Sequence, residues 1–135
     1  QKDAQQVMVI KRMIRDLHFP IEVVIGPTIR EADGLAMSSR NSYLNDNQRK
    51  DALLLHEALQ AGRSLVDEKG VRNVDRVKAE LMHVLQNGGS LRVNYAEVVN
   101  RETMKSEAKI EIGRSMLVVA AWVDTIRLID NMLLG

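Results

Sequence analysis

Two polar clusters in this sequence hold residue types that could act together on a charged ligand. The first is Lys2, Asp3, Gln5 and Gln6. If a helix starts here, Lys2 and Gln6 stand one turn apart and Asp3 and Gln6 are also neighbours on its surface. A cation, a carboxylate and an amide pointing one way suit a phosphate, ribose hydroxyls and a carboxylate or alcohol. The helix N-terminus adds partial positive charge for an anion. A solvated first turn, with Asp3 set against the helix dipole, accounts for the same residues by type alone.

The second cluster is the run Arg30-Glu31-Ala32-Asp33-Gly34-Leu35-Ala36-Met37-Ser38-Ser39-Arg40-Asn41. Gly34 permits a turn at positive φ. Ser38 and Ser39 supply hydroxyl donors, and Arg40 supplies a forked cation. That set suits a polyphosphate that gains charge as it leaves. A loop can also close over such a ligand and exclude water. The plainer alternative is an interdomain linker with a capping serine.

Other polar residues carry weaker signals. His18, His56 and His83 lack metal-ligand spacing, and no metal site is read in this chain. Trp122 sits in an apolar run and reads as packing. Asp124 reads as a hairpin turn, and Arg127 with Asp130 as a structural ion pair on one strand. Glu107, Lys109 and Glu111 read as a solvated connection. The sequence has no Walker loop, no Gly-x-Gly-x-x-Gly run and no Ser-His-Asp arrangement.

The elements that must position these clusters follow from periodicity. Val7, Ile10, Ile14 and Leu17 fall at helical spacing and predict a helix over Asp3 to Leu17, ended by Pro20. Ile21, Val23, Val24 and Ile25, closed by Gly26 and Pro27, predict a buried strand. A helix followed by such a strand has the rhythm of a parallel α/β sheet and reads as the trailing edge of a larger domain. The strand's edge at Ile21 to Gly26 would need cover against aggregation. Thr28 to Tyr43 shows no periodicity and reads as a loop.

Asn45 or Asp46 can cap the next helix, whose buried stripe is Ala52, Leu55, Leu59, Gly62 and Val66, with Gly70 as its stop. Asn73 can cap another, with Val74, Val77, Leu81 and Leu85 inward. Strand-like runs cover Arg92 to Asn100, Ser115 to Val123 and Thr125 to Leu133, the last two joined in a tight hairpin. This is a small α+β domain from about Asn41 to Gly135.

Composition bounds the function classes. The chain has 135 residues, 45% hydrophobic but only 3% aromatic, so the core must be aliphatic. With 19 Lys and Arg against 18 Asp and Glu there is no broad basic field, which argues against generic nucleic-acid binding. Without cysteine there is no disulfide scaffold, zinc–cysteine site or thiol catalysis. No stretch reaches the ~20 apolar residues of a membrane span. The first residues enter a helical pattern at once, without Met or a signal-peptide pattern, and read as a cut inside a longer chain.

Both clusters resemble motifs of the pantothenate synthetases, the pantoate–β-alanine ligases. Lys2-Asp3-Ala4-Gln5-Gln6 is similar to their Lys-Asp-x-Gln-Gln element. Arg30 to Asn41 resembles their Arg-Glu-x-Asp-Gly-Leu-Ala-Met-Ser-Ser-Arg-Asn loop, the counterpart of the KMSKS loop of class I adenylate-forming synthetases. Val119-Ala120-Ala121-Trp122 through Arg127-Leu128-Ile129-Asp130-Asn131 resembles their last hairpin. The likeness runs from Lys2 to about Asn131. Ala4 stands where an aromatic residue is common in the family, and Asp124 where glycine is common.

The resemblance implies an α/β architecture in which residues 1–28 end a Rossmann-like nucleotidylyl-transferase domain. Residues 29–40 would form a hinge loop. Residues 41–135 would form a C-terminal lid of two helices and a three-stranded antiparallel sheet. It implies ATP with Mg²⁺, pantoate and β-alanine as substrates, a pantoyl adenylate intermediate, a homodimer and a cytoplasmic setting. By motif position, Lys2 contacts phosphate and Asp3 the ribose. Ile29 and Met37 line the adenine, Gln6 holds pantoate, and Ser38, Ser39 and Arg40 grip the departing phosphates.

The family's HIGH-like segment and acidic metal ligand belong upstream of Lys2, so this chain alone is expected to bind ATP weakly and form no adenylate. Two other readings stay open. One is a non-catalytic lid or assembly domain, and the other a piece of another class I adenylate-forming synthetase, which the near-neutral charge disfavours.

Overall fold

The computed structural model describes residues 2–18 and 28–135. Its elements are helix α1 (Ala4–Asp16), a 3-10 turn (Ser39–Tyr43), helices α2 (Asp46–Asp67) and α3 (Val74–Leu85), and strands β1 (Leu91–Asn100), β2 (Ser115–Val123) and β3 (Ile126–Leu133). The strand expected over Ile21 to Gly26, and with it the Rossmann-like character of the leading segment, lies outside the described residues.

α1 forms where the apolar spacing predicts it, but it buries no residue among those described. Val9, Met13 and Leu17 are exposed. Its start touches the sheet through Ala4, which packs beside Val99, Met116 and Val118.

α2 starts at a reciprocal cap. The Asn45 side chain accepts from the Gln48 N–H at 2.8 Å, and the Gln48 side chain accepts from the Asn45 N–H at 3.0 Å. Of the two candidates, Asn45 is the cap. Asn73 caps α3 by accepting from the Arg76 N–H at 3.0 Å. The buried stripes match the sequence spacing, with Leu59, Leu81 and Leu85 fully covered. Each such side chain contributes about 1.5–3 kcal/mol.

The sheet has the order β1-β2-β3 and is antiparallel throughout. α2 and α3 pack on one face, where Val98, Leu117, Val119, Ala121 and Leu128 join the helices in one aliphatic core. β2 is the middle strand and is apolar on both faces, which explains its uninterrupted hydrophobic run. Val123 pairs with Ile126, so Asp124 and Thr125 form the hairpin tip. Asp124 holds φ 53°, a conformation glycine adopts more easily. Its carboxylate accepts from Gln48 Nε2 at 2.7 Å, tying the tip to the start of α2.

One expected pair is corrected by the structure. Arg127 and Asp130 do not bond each other. Arg127 donates to Asn94 Oδ1 at 3.2 and 3.0 Å, and Asp130 pairs with Arg30. Three positions apart on a strand, the two side chains leave opposite faces.

Candidate functional site

The run that lacks periodicity is ordered by its own hydrogen bonds. Glu31 N–H donates to Leu35 O at 2.8 Å and Met37 N–H to Ile29 O at 2.9 Å, making a short clip bridged at Arg30 and Ala36. Gly34 turns it at φ 98°, as the sequence suggests. A Cβ at position 34 would meet His56 Cδ2 at 2.6 Å, so glycine is required for clearance as well as conformation.

The charges along the clip are committed to the scaffold. Arg49 on α2 bonds both Glu31 and Asp33, and its hydrogen bond to Asp33 holds that carboxyl below its usual range. Arg30 donates to both oxygens of Asp130, at 2.6 and 3.0 Å, and to Gly34 O at 3.2 Å. Asp130 is only 4% exposed.

The clip delivers the predicted residues to the surface. Ile29 and Met37 are cross-strand partners, 67% and 52% exposed, an apolar pair available to a flat ligand. Ser38 caps the 3-10 turn by accepting from the Arg40 N–H at 3.2 Å. This is the plainer role its type suggests, and it leaves the hydroxyl hydrogen able to donate elsewhere. Ser39 and Arg40 are exposed, and Arg40 reaches Arg127 O at 3.4 Å.

At the start of α1, Asp3 is the N-cap residue, yet its side chain makes no capping bond. Asp3 and Gln6 are exposed and Lys2 is half-buried. Asn131 Nδ2 donates to the Lys2 carbonyl at 2.8 Å.

Lys2 and Ser38, one from each cluster, line a single small cavity together with Asn41, His56 and Asp130. Asp3, Gln6, Ser39 and Arg40 do not line it. Two buried polar atoms in its walls, Asn41 Oδ1 and His56 Nδ1, have no hydrogen-bond partner among the described residues. Asn41 Nδ2 donates to Ala36 O at 3.0 Å, which orients that side chain. The His56 pKa is held below its usual 6.5, first by burial and then by the Arg30 cation.

A far larger cleft of about 620 Å³ lies elsewhere, between α1 and turns near the sheet, lined among others by Lys11, Arg12, Arg15, Arg101 and Arg114. None of the predicted site residues lines it. The small cavity, about 10 Å³, has room for little more than one water molecule, and its Asp130 carboxylate is already paired with Arg30, so it marks where the two motifs meet. Sequence reasoning missed Asn41, His56, Asp130 and Asn131 as neighbours of the site. Arg30 and Asn41 lay inside the quoted run. Nothing in the spacing of Asp130 pointed a hundred residues back. Among the described residues, no group of three or more His, Cys, Asp or Glu could hold a metal ion. No described helix is long and apolar enough to cross a membrane.

Fold and site together make an α+β unit that carries a hydroxyl-and-guanidinium loop beside a helix start. The sequence profile of the Pantoate-beta-alanine ligase family matches residues 1–133, and the chain belongs to that family. It is 47% identical over 134 residues to the pantothenate synthetase of Moorella thermoacetica and 44% identical over 135 residues to that of Pseudothermotoga lettingae. It spans about half the length of these curated relatives, 47% of each. The crystal structure of pantothenate synthetase from Thermus thermophilus superposes with a TM-score of 0.91 at 41% identity, covering 98% of this chain and 47% of that one.

Proposed function

We propose that this chain is the phosphate-gripping part of an enzyme that condenses pantoate with β-alanine using ATP. In the first step a pantoate carboxylate oxygen attacks the α-phosphorus, and the bond to pyrophosphate breaks. In the second, the β-alanine amine attacks the acyl carbon of pantoyl adenylate, loses a proton, and AMP departs with the bonding electrons. The products are pantothenate, AMP and pyrophosphate. Little covalent chemistry falls to the protein in such a step, which runs on positioning and charge stabilisation.

Lys2 would steady the phosphate charge, Asp3 the ribose hydroxyls and Gln6 the pantoate. Ser38, Ser39 and Arg40 would hold the departing pyrophosphate, with Ile29 and Met37 against the adenine. Mg²⁺ would accompany the ATP phosphates. The same reading carries a homodimer, a cytoplasmic setting, and a division into 1–28, a hinge loop at 29–40 and a lid at 41–135. Arg30 and Arg49 bond the loop to the segment that follows it.

The observation that carries this reading is the match of the Pantoate-beta-alanine ligase family to residues 1–133, which takes in both motifs. The test is pantoate-dependent exchange of pyrophosphate into ATP. This chain alone is expected to show none. A fusion of the upstream half of the Moorella thermoacetica relative to this chain is expected to exchange. Lys2→Ala and Arg40→Ala should each lower that rate about 100-fold or more. Exchange by the chain alone would sink the split-site reading. A folded fusion without exchange would favour a non-catalytic lid.

A further inference from the structure

β3 lies at the edge of the described sheet. Near its end two consecutive polar residues, Asp130 and Asn131, are almost completely buried. Successive residues of a strand face opposite sides, and each of these two takes hold of a different motif. On the helix-packed face the Asp130 carboxylate accepts both arms of the Arg30 guanidinium. A fork-to-fork pair fixes direction as well as distance. Through Arg30 it sets the clip that ends at Met37 and Ser38. On the other face Asn131 Nδ2 donates to the Lys2 carbonyl, where Ala4 seats α1 on the sheet. Asp130 Oδ1 also accepts from the Asn131 N–H at 2.8 Å, coupling one arm to the other.

Folding alone does not account for this arrangement. The core beneath is aliphatic, and a buried ion pair gains little stability after its desolvation cost. What the pair supplies is a fixed angle. We infer that Asp130 and Asn131 are positioning residues. They form a two-residue ruler that holds the Lys2 end of α1 and the Ser38–Arg40 loop at a set separation while touching no ligand. Their catalytic meaning rests on the ligase reading above, and the geometric claim can be tested without it.

The test is amide hydrogen exchange on this chain, comparing the parent with Asp130→Asn, Arg30→Lys and Asn131→Ala. Arg30→Lys keeps the charge and removes the fork, which guards against a misfolded Asp130 variant. Asp130→Asn and Arg30→Lys should speed exchange at the Gly34 and Met37 amides by about tenfold or more relative to α2 and α3 core amides, leaving Val7 unchanged. Asn131→Ala should do the reverse. Equal loosening of both segments and the core would mark a merely structural role and overturn the inference, as would no change at either segment. Pantoate-dependent pyrophosphate exchange by the fusion described above separates the two readings. Selective amide exchange together with a folded fusion that exchanges no pyrophosphate supports the ruler and overturns the nucleotide assignment alone.

Discussion

Three features of its surroundings act on His56 at once. Its ring edge closes on Gly34, its Nδ1 is buried without a described partner, and Arg30 lies near enough to oppose its protonation. Asp130 and Glu57 pull the other way but do not prevail. The unfolded chain takes up a proton at this residue near pH 6.5, whereas the folded chain does so only at lower pH. The contribution to stability is therefore complete above 6.5 and is lost as pH falls through the window beneath it. Melting temperature should fall on acidification across that window, and His56→Gln should flatten the response.

Gly34→Ala tests the same contact from the other side. Positive φ and the short approach to His56 should together cost about 1–2 kcal/mol or more, read by urea denaturation. Gly34 and Ser38 were legible in the sequence, because a tight turn and a cap each have a preferred residue type. His56 was not, since a lone histidine on a helix says nothing about the loop that will land on it.

At the scale of elements, the helices carried their own instructions. Their stripes, their asparagine caps and the glycine after α2 all lie within a few residues of what they control. Asn45→Ala should cost about 1 kcal/mol of unfolding free energy in chemical denaturation, with the slope against denaturant unchanged. The clip from Ile29 to Met37 left no such trace. It has one bridge and no alternating face, and its anchors to the rest of the chain, Arg49 and Asp130, are remote in sequence. The same remoteness explains the mistaken pairing of Arg127 with Asp130. Proximity along a strand suggested a partner, and the pleat sent the two side chains apart.

At the scale of the whole molecule, the aliphatic composition and the α+β order pointed to a core built from about Asn41 onward, and the buried cluster among the described residues also takes in Leu35, from the stretch read as a loop. α1 follows its pattern but leaves Val9, Ile10 and Met13 exposed among the described residues, so the sequence could specify the helix without its full packing partner. The near-neutral charge also hid a local excess. Lys11, Arg12, Arg15, Arg101 and Arg114 gather on one cleft although the totals almost cancel.

The anchoring of both motifs on β3 has a consequence for the order of biosynthesis. A ribosome releases Lys2 and Arg30 well before β3, and α2 and α3 can condense while translation continues. Asp130 and Asn131 emerge after every other described element. Until then Arg30 has no counter-ion from β3 and the Lys2 carbonyl no donor from the sheet. The nascent protein thus carries its motif residues through the synthesis of α2, α3 and two strands with the geometry between them unset. Premature termination before β3 would yield a product that retains every proposed contact residue and cannot align them.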